Sequence, residues 1–332
     1  MARAARGAKK GSKLEAELED LAPLEADPGR ADAGDRLERA LGSANAHVVA
    51  RAAALIGKER MPGHEQRLLD AYERFLVDAA KSDPHCHAKL AILDALDDCE
   101  HVDSEPFIAA ARYVQLEKRW GPPDDTAAGI RARCALALAR RHADDALPLF
   151  GALLADEKAR VRENTAAAIA HHGARDGAGL LVLRLMSGEQ EPSVVAECIR
   201  ALFALAPDHG APVVRPWLAR RELRELVAHA LVASNRDEGV ELLAEELARC
   251  VVASEREPIM RALAVSRRPS ARALLLRLIS GGGASDAPMA MRALAVHAYD
   301  GRVRADVREA ASRNPIGTIS DLVAELFPEE PK

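Results

Sequence analysis

The chain has 332 residues, a net charge of −5 at pH 7, 48% hydrophobic residues and only 3% aromatic ones. That is enough apolar material to bury a core, which excludes a chain disordered throughout, and the dominance of Ala and Leu over the aromatic residues that suit strands argues against a sheet protein. Five cysteines, at 86, 99, 134, 198 and 250, are odd in number and never spaced Cys-x-x-Cys, which excludes a disulfide framework.

In chain order, "MARAARGAKKGSK" carries five basic residues and no acid, and predicts a disordered basic tail over 1–13. The acidic helix former "LEAELEDL" follows it, not an apolar signal core. No apolar run approaches the roughly 18 residues of a membrane span, so the expectation is a cytoplasmic protein with no membrane contact. Charge is uneven: residues 14–214 hold 23 basic against 34 acidic residues, whereas 249–313 hold 12 arginines against 6 acids.

From residue 46 on, a helical template recurs. Val48, Ala52, Leu55 and Ile56 are spaced 0, 4, 7, 8, one face of a helix. The same spacing returns at Ala88/Ile92/Ala95/Leu96, Ile130/Cys134/Ala137/Leu138, Val161/Thr165/Ala168/Ile169, Val194/Cys198/Ala201/Leu202 and Leu223/Val227/Ala230/Leu231. Weaker copies end in Leu263/Ala264 and Leu294/Ala295, and the last position advances by 40, 42, 31, 33, 29, 33 and 31 residues. Between these second helices lie shorter amphipathic ones, at 145–157, 177–189, 211–222, 239–251 and 270–282. Joints are expected at Gly121-Pro-Pro123, Pro192, Pro207, Gly210, Pro269 and Gly281-Gly-Gly283. No stretch alternates with a strand's period of 2. The prediction is an all-α fold, an α-α superhelix of about eight helix pairs over 14–327 with a short C-terminal tail over 328–332, each pair burying its apolar face on its neighbours.

One stretch invites a metal reading. In "HCHAKLAILDALDDCEH" (85–101), two His/Cys clusters flank an apolar run. As one helix started by Asp83-Pro84, it separates Cys86 from Cys99 by roughly 20 Å at 1.5 Å per residue. Zinc ligands lie only about 2.0–2.3 Å from the ion, so the clusters cannot share one. On a helix His85 and His87 also point apart, and the expectation is no metal. Cys134 and Cys198 share one template position and read as small core residues; the Asp97-Asp98 and Asp144-Asp145 pairs read as solvated surface. There is no phosphate loop, no His-Glu-x-x-His and no Gly-x-Ser-x-Gly, so no catalytic residue, no cofactor and no enzyme is expected.

The repeat resembles the HEAT repeat, in particular the HEAT-like repeat of phycobilisome-lyase-type proteins, and "DEKARVRENTAAAIAHHG" (156–173) carries the resemblance best. In such families Asp and Arg residues form a ladder between repeats, which the resemblance assigns here to Asp83 and Lys89, Asp125 and Arg131, and Asp156 and Arg162, each pair six residues apart. It also implies a protein partner along the inner face lined by second helices, with Arg131, Arg133, Arg162, Glu163, Glu197, Arg200 and Arg224 as candidate contacts. Trp217, Arg220 and Arg221 in "RPWLARRELR" join them and motivate an alternative, a nucleic-acid partner for the basic C-terminal region. A scaffold is the main expectation; an accessory subunit of an enzyme is the other alternative.

Overall fold

The computed structural model describes residues 2–118, 120–143 and 146–328, with side chains from residue 13 on. Of the disordered tail expected over 1–13, the side chains of residues 1–12 therefore fall outside the described residues, as do Asp144, Asp145 and the tail beyond Pro328. The fold is all-α and built of helix pairs, in two compact units, Met1–His172 and Gly173–Lys332.

The first unit holds α1 (Ala2–Ala26), α2 (Ala33–Leu41), α3 (Ala46–Lys58), α4 (Glu65–Leu76), the short α5 (Ala79–Ser82), α6 (His87–Asp98), α7 (Glu105–Ala110), α8 (Ala128–Arg140), α9 (Ala146–Leu153) and α10 (Ala159–His172). The second helices α3, α6, α8 and α10 pack side by side in that order. Their template residues form the core: Val48, Ala52, Ile56, Ala88, Ile92, Leu96, Cys134, Leu138, Val161 and Ile169 are fully buried, with Phe75, Phe107 and Phe150 filling the space toward the first helices. The scarcity of aromatic side chains lets helices approach closely. A Cβ on Gly57 of α3 would lie 3.0 Å from Ala95 Cα of α6.

An acidic residue starts each of three second helices. Asp83 accepts from the backbone N–H groups of Ala88 and Lys89 at 2.9 and 3.0 Å, Asp125 from Ala127 at 3.0 Å, and Asp156 from Lys158 at 2.8 Å. These bonds satisfy N–H groups that a helix start leaves free. Two expectations are corrected here. The helix predicted from Pro84 begins at His87; Pro84–Cys86 form a 3-10 turn in which His85 and Cys86 are left-handed, with φ of 60° and 61°. The buried carboxylate of Glu117 holds that turn by accepting from His85 N–H at 2.7 Å. Glu117 belongs to a two-stranded antiparallel hairpin, Leu116–Glu117 with Asp124–Asp125, turned by Gly121 at φ 110°, where no strand was expected.

The second unit holds α11 (Gly177–Met186), α12 (Pro192–Leu205), α13 (Pro207–Leu218), α14 (Arg224–Ala233), α15 (Asp237–Arg249), α16 (Ala253–Ala264), α17 (Pro269–Gly281), α18 (Asp286–Leu294), α19 (Gly301–Ser312) and α20 (Thr318–Leu326). The even-numbered helices from α12 to α20 stack in one row and the odd-numbered from α11 to α19 in another. Pro192, Pro207 and Pro269 occupy the first turns of α12, α13 and α17, where the absent N–H is no loss. Gly210 is not the joint its type suggested. It lies inside α13, where a Cβ would come within 2.6 Å of the Phe203 ring.

Candidate functional site

The ladder residues come first because they position everything else. Arg131, only 5% exposed, donates through Nε to Asp156 at 2.7 Å, pairs with Asp125 at 2.7 Å and donates to the Tyr113 carbonyl at 3.0 Å. It thus ties the start of its own helix to the start of the next. Lys89 takes the same place one repeat earlier, 2.8 Å from Asp83. Arg162 donates to the carbonyls of Asp156 and Glu157 at 2.9 and 3.0 Å. The second unit repeats the device with residues outside the six-residue pattern. Arg256 at the start of α16 makes a two-pronged bond to Asp286 of α18, both prongs 2.8 Å, and Arg224 stands 3.6 Å from Glu255. Those partners lie 30 and 31 residues ahead, one repeat on, so the signal was a repeat-length spacing and not a local one.

This burial corrects part of the predicted contact surface. Arg131 and Arg224 are enclosed, with their guanidinium groups engaged inside the chain, and neither presents itself to a partner. Trp217 is also buried, with the Arg220 guanidinium 4.9 Å from its ring, so it offers no face to a nucleic-acid base. Arg221 donates to Ser254 at 3.2 Å. Glu197 and Arg200 remain half-exposed on α12 and pair with each other, and Glu163 is half-buried on α10.

The exposed sides of α6 and α8 instead build a charged cleft of about 690 Å³ in the first unit. Arg133 of α8 reaches Asp94 of α6 at 2.7 Å; Arg140 and Arg141 both hold Asp97; Arg60, just past α3, meets Glu100 at 3.0 Å. Arg141 lies 4.0 Å over the Phe107 ring and so is fixed in orientation. Burial raises the Asp94 carboxyl above its ordinary range, with Arg133 opposing the rise and Asp98 and Asp97 adding to it. Asp98 has no ion-pair partner among the described residues, and the shielded Nε2 of His101 has no hydrogen-bond partner. Three helix C-termini converge here, which adds negative potential. Of the predicted contacts only Arg133 lies in this cleft. Asp97, read from the sequence as solvated, is largely buried between two arginines.

Cys134 and Cys198 are fully buried, and burial pushes the Cys134 thiol far up and the Cys86 thiol up to about 11. Among the described residues, no group of three or more His, Cys, Asp or Glu side chains is placed so that it could hold a metal ion. His85 and His87 nevertheless do not point apart as a helix would require; their ring centroids are 6.0 Å from each other. No helix is long and apolar enough to cross a membrane among the described residues.

No protein-family model and no curated protein matches the chain. Among solved structures it is similar to the complex of CpcE and CpcF of phycocyanin lyase from Nostoc sp. PCC7120, at 18% identity over 88% of this chain and 94% of that one, with a TM-score of 0.36. It is also similar to an engineered protein, at 17% identity over 94% and 92% of the two chains, with a TM-score of 0.34. The first of these is a phycocyanin lyase complex, and the expectation of a non-enzyme is withdrawn.

Proposed function

We propose that the chain is an accessory subunit of an enzyme assembly and that the charged cleft between α6 and α8 holds a segment of its partner. The observation that carries this reading is the cleft itself. Arg60, Arg133 and Arg140 each expose a large part of the side chain, the Asp94 and Asp97 partners of the latter two lie deeper, the Glu100 partner of Arg60 is exposed, and Asp98 has no ion partner among the described residues. Exposed ion pairs contribute little to folding, about 0–1 kcal/mol each, so they can be exchanged for pairs to a partner at small cost. Alternating charge of this kind selects a partner and speeds encounter more than it adds affinity. The occupant is then a polypeptide segment carrying both signs, its basic side chain on Asp98 and its acidic one on Arg60 or Arg140.

The test is affinity capture from the native host with the full chain and with the double charge reversal Arg133→Glu plus Arg140→Glu. Stable co-purification of the subunits of one enzyme, lost in the double variant while its helical content is kept, is the expected result. Capture of the same enzyme by both proteins would move the contact away from this cleft, and absence of any enzyme from the captured set would sink the reading.

A further inference from the structure

The outward face of the hairpin takes no part in the ladder or the cleft, and we propose that it rests against an anionic lipid surface. The hairpin falls in the longest step of the repeat, 42 residues from Leu96 to Leu138, and is an addition to the helix pair. An extended chain turns successive side chains to opposite sides. Gln115 and Glu117 accordingly point inward and are buried, whereas Val114 and Leu116 are more than half exposed. Lys118 is exposed beyond them, and Trp120 at the tip is wholly so.

The inward face holds this apolar one in place. The Glu117 carboxylate accepts from the Gln115 side chain at 2.8 Å, the Thr126 hydroxyl at 2.7 Å and His85 N–H at 2.7 Å. The Gln115 amide also donates to the Asp83 carbonyl at 3.0 Å, and Thr126 N–H donates to the Gln115 carbonyl at 2.9 Å. Both strands are thereby tied to the starts of α6 and α8. A face already ordered in the free protein loses little conformational freedom when it is covered. Contiguous exposed apolar side chains with a polar rim mark contact with a protein or a membrane.

Charge and residue type favour the membrane. The nearby acids are spent inward: Glu117 in its hydrogen bonds, Asp125 on Arg131 and Asp124 on Lys158. Arg112 and Lys118 are exposed and have no ion-pair partner among the described residues, and 118–123 holds two basic residues and no acid. Tryptophan settles at the level of lipid headgroups. Lysine is depleted at the centre of protein interfaces, but at a bilayer its stem lies along apolar surface while the ammonium meets the headgroups. Charge acts over only about 10 Å at 0.1 M salt, so the acidic excess elsewhere in the chain is screened where it lies farther off than that. The expectation of no membrane contact rested on the missing apolar span, which bears on crossing a bilayer and not on lying against one.

The experiment is co-sedimentation of the full, untagged chain with vesicles of equal parts phosphatidylcholine and phosphatidylglycerol, beside vesicles of phosphatidylcholine alone. The chain has two tryptophans and Trp217 is buried, so a Trp217→Phe background reports Trp120 by its fluorescence. Expected are binding to the anionic vesicles above the neutral ones, a blue shift of Trp120 emission on binding, and weaker binding at high salt. Trp120→Ser plus Leu116→Ser should lower the affinity about tenfold or more, since binding scales with the apolar area inserted; both positions are exposed, and circular dichroism checks that the variant folds. Lys118→Glu should lower it as well. No co-sedimentation with unshifted emission overturns the proposal. So does binding that survives the double serine variant unchanged, which would move the contact elsewhere, first to the basic residues of 1–13. A blue shift that grows with protein concentration in the absence of vesicles overturns it too, by assigning the face to a second copy of the chain. Every arm uses the purified chain alone and is independent of the cleft and of its partner.

Discussion

Lys89 and Asp83 face each other without exposure to solvent, the ammonium nitrogen 2.8 Å from the carboxylate. The ammonium also donates to the Phe75 and Asp83 carbonyls at 3.3 and 3.5 Å, and the carboxylate caps α6 through two N–H groups. Every polar atom of the pair is therefore used. Removing one partner of a buried pair leaves an uncompensated charge and costs about 3–5 kcal/mol. Lys89→Ala should lower stability by that amount in chemical denaturation. Asp83→Asn plus Lys89→Met should lose less than the sum of the single variants; strict additivity would mean the two residues act separately.

The same pair shows what the sequence exposed and what it hid. The resemblance assigned Asp83 to Lys89 and Asp125 to Arg131 on their six-residue spacing, and both pairs are in contact. Periodicity likewise announced the core: Val48, Ile92, Cys134, Val161 and Cys198 are all fully buried. The cleft was hidden because Arg133 and Asp94, or Arg140 and Asp97, lie 39 and 43 residues apart and meet only when repeats stack. The hairpin was hidden as well, since four residues of strand leave no alternation to read. His85 and Cys86 looked helical because nothing local reveals that Glu117, 32 residues away, bends the chain there.

Gly210 offers a test of packing inside α13. A methyl group at this position would meet the Phe203 ring at 2.6 and 2.9 Å, and the ring is fully buried. In an open helix Gly→Ala stabilises; here overpacking should reverse the sign and cost about 1–3 kcal/mol. Thermal melts of Gly210→Ala beside Gly210→Ala plus Phe203→Leu decide it. The second change should recover part of the loss, and an unaltered or raised melting temperature in the single variant would mean that the helix moves aside without penalty.

Acid should weaken the first unit through Asp125 and Glu117. Burial pushes both carboxyls up, but hydrogen bonds outweigh it: Arg131 with the Ala127 and Gln115 N–H groups for Asp125, and Thr126, His85 N–H and Gln115 for Glu117. Both therefore stand below their ordinary values in the folded state. A depressed folded pKa contributes stability that is present above the unfolded pKa and lost as pH falls through the folded one. Stability measured by denaturant titration should drop below about pH 4, the ordinary carboxylate range, and Glu117→Gln should flatten part of that drop. An acid limb identical in variant and wild type would remove Glu117 from the account.

Arg131 and Arg200 separate structural from outward-facing arginines. Arg131 bridges Asp125 and Asp156 almost without exposure, so Arg131→Glu buries a third acid among two and should cost at least the about 3–5 kcal/mol of a broken buried pair. Among the described residues Arg200 pairs with Glu197 on its own helix, and it is 30% exposed. Surface pairs of this kind are worth about 0–1 kcal/mol, so Arg200→Glu should leave the melting temperature nearly unchanged. If α12 also takes part in holding the partner, that variant should weaken capture with folding intact, whereas capture at the wild-type level would confine the contact to the cleft between α6 and α8. A stability loss at Arg200 as large as that at Arg131 would place it inside the ladder instead and would require a partner for its guanidinium beyond Glu197.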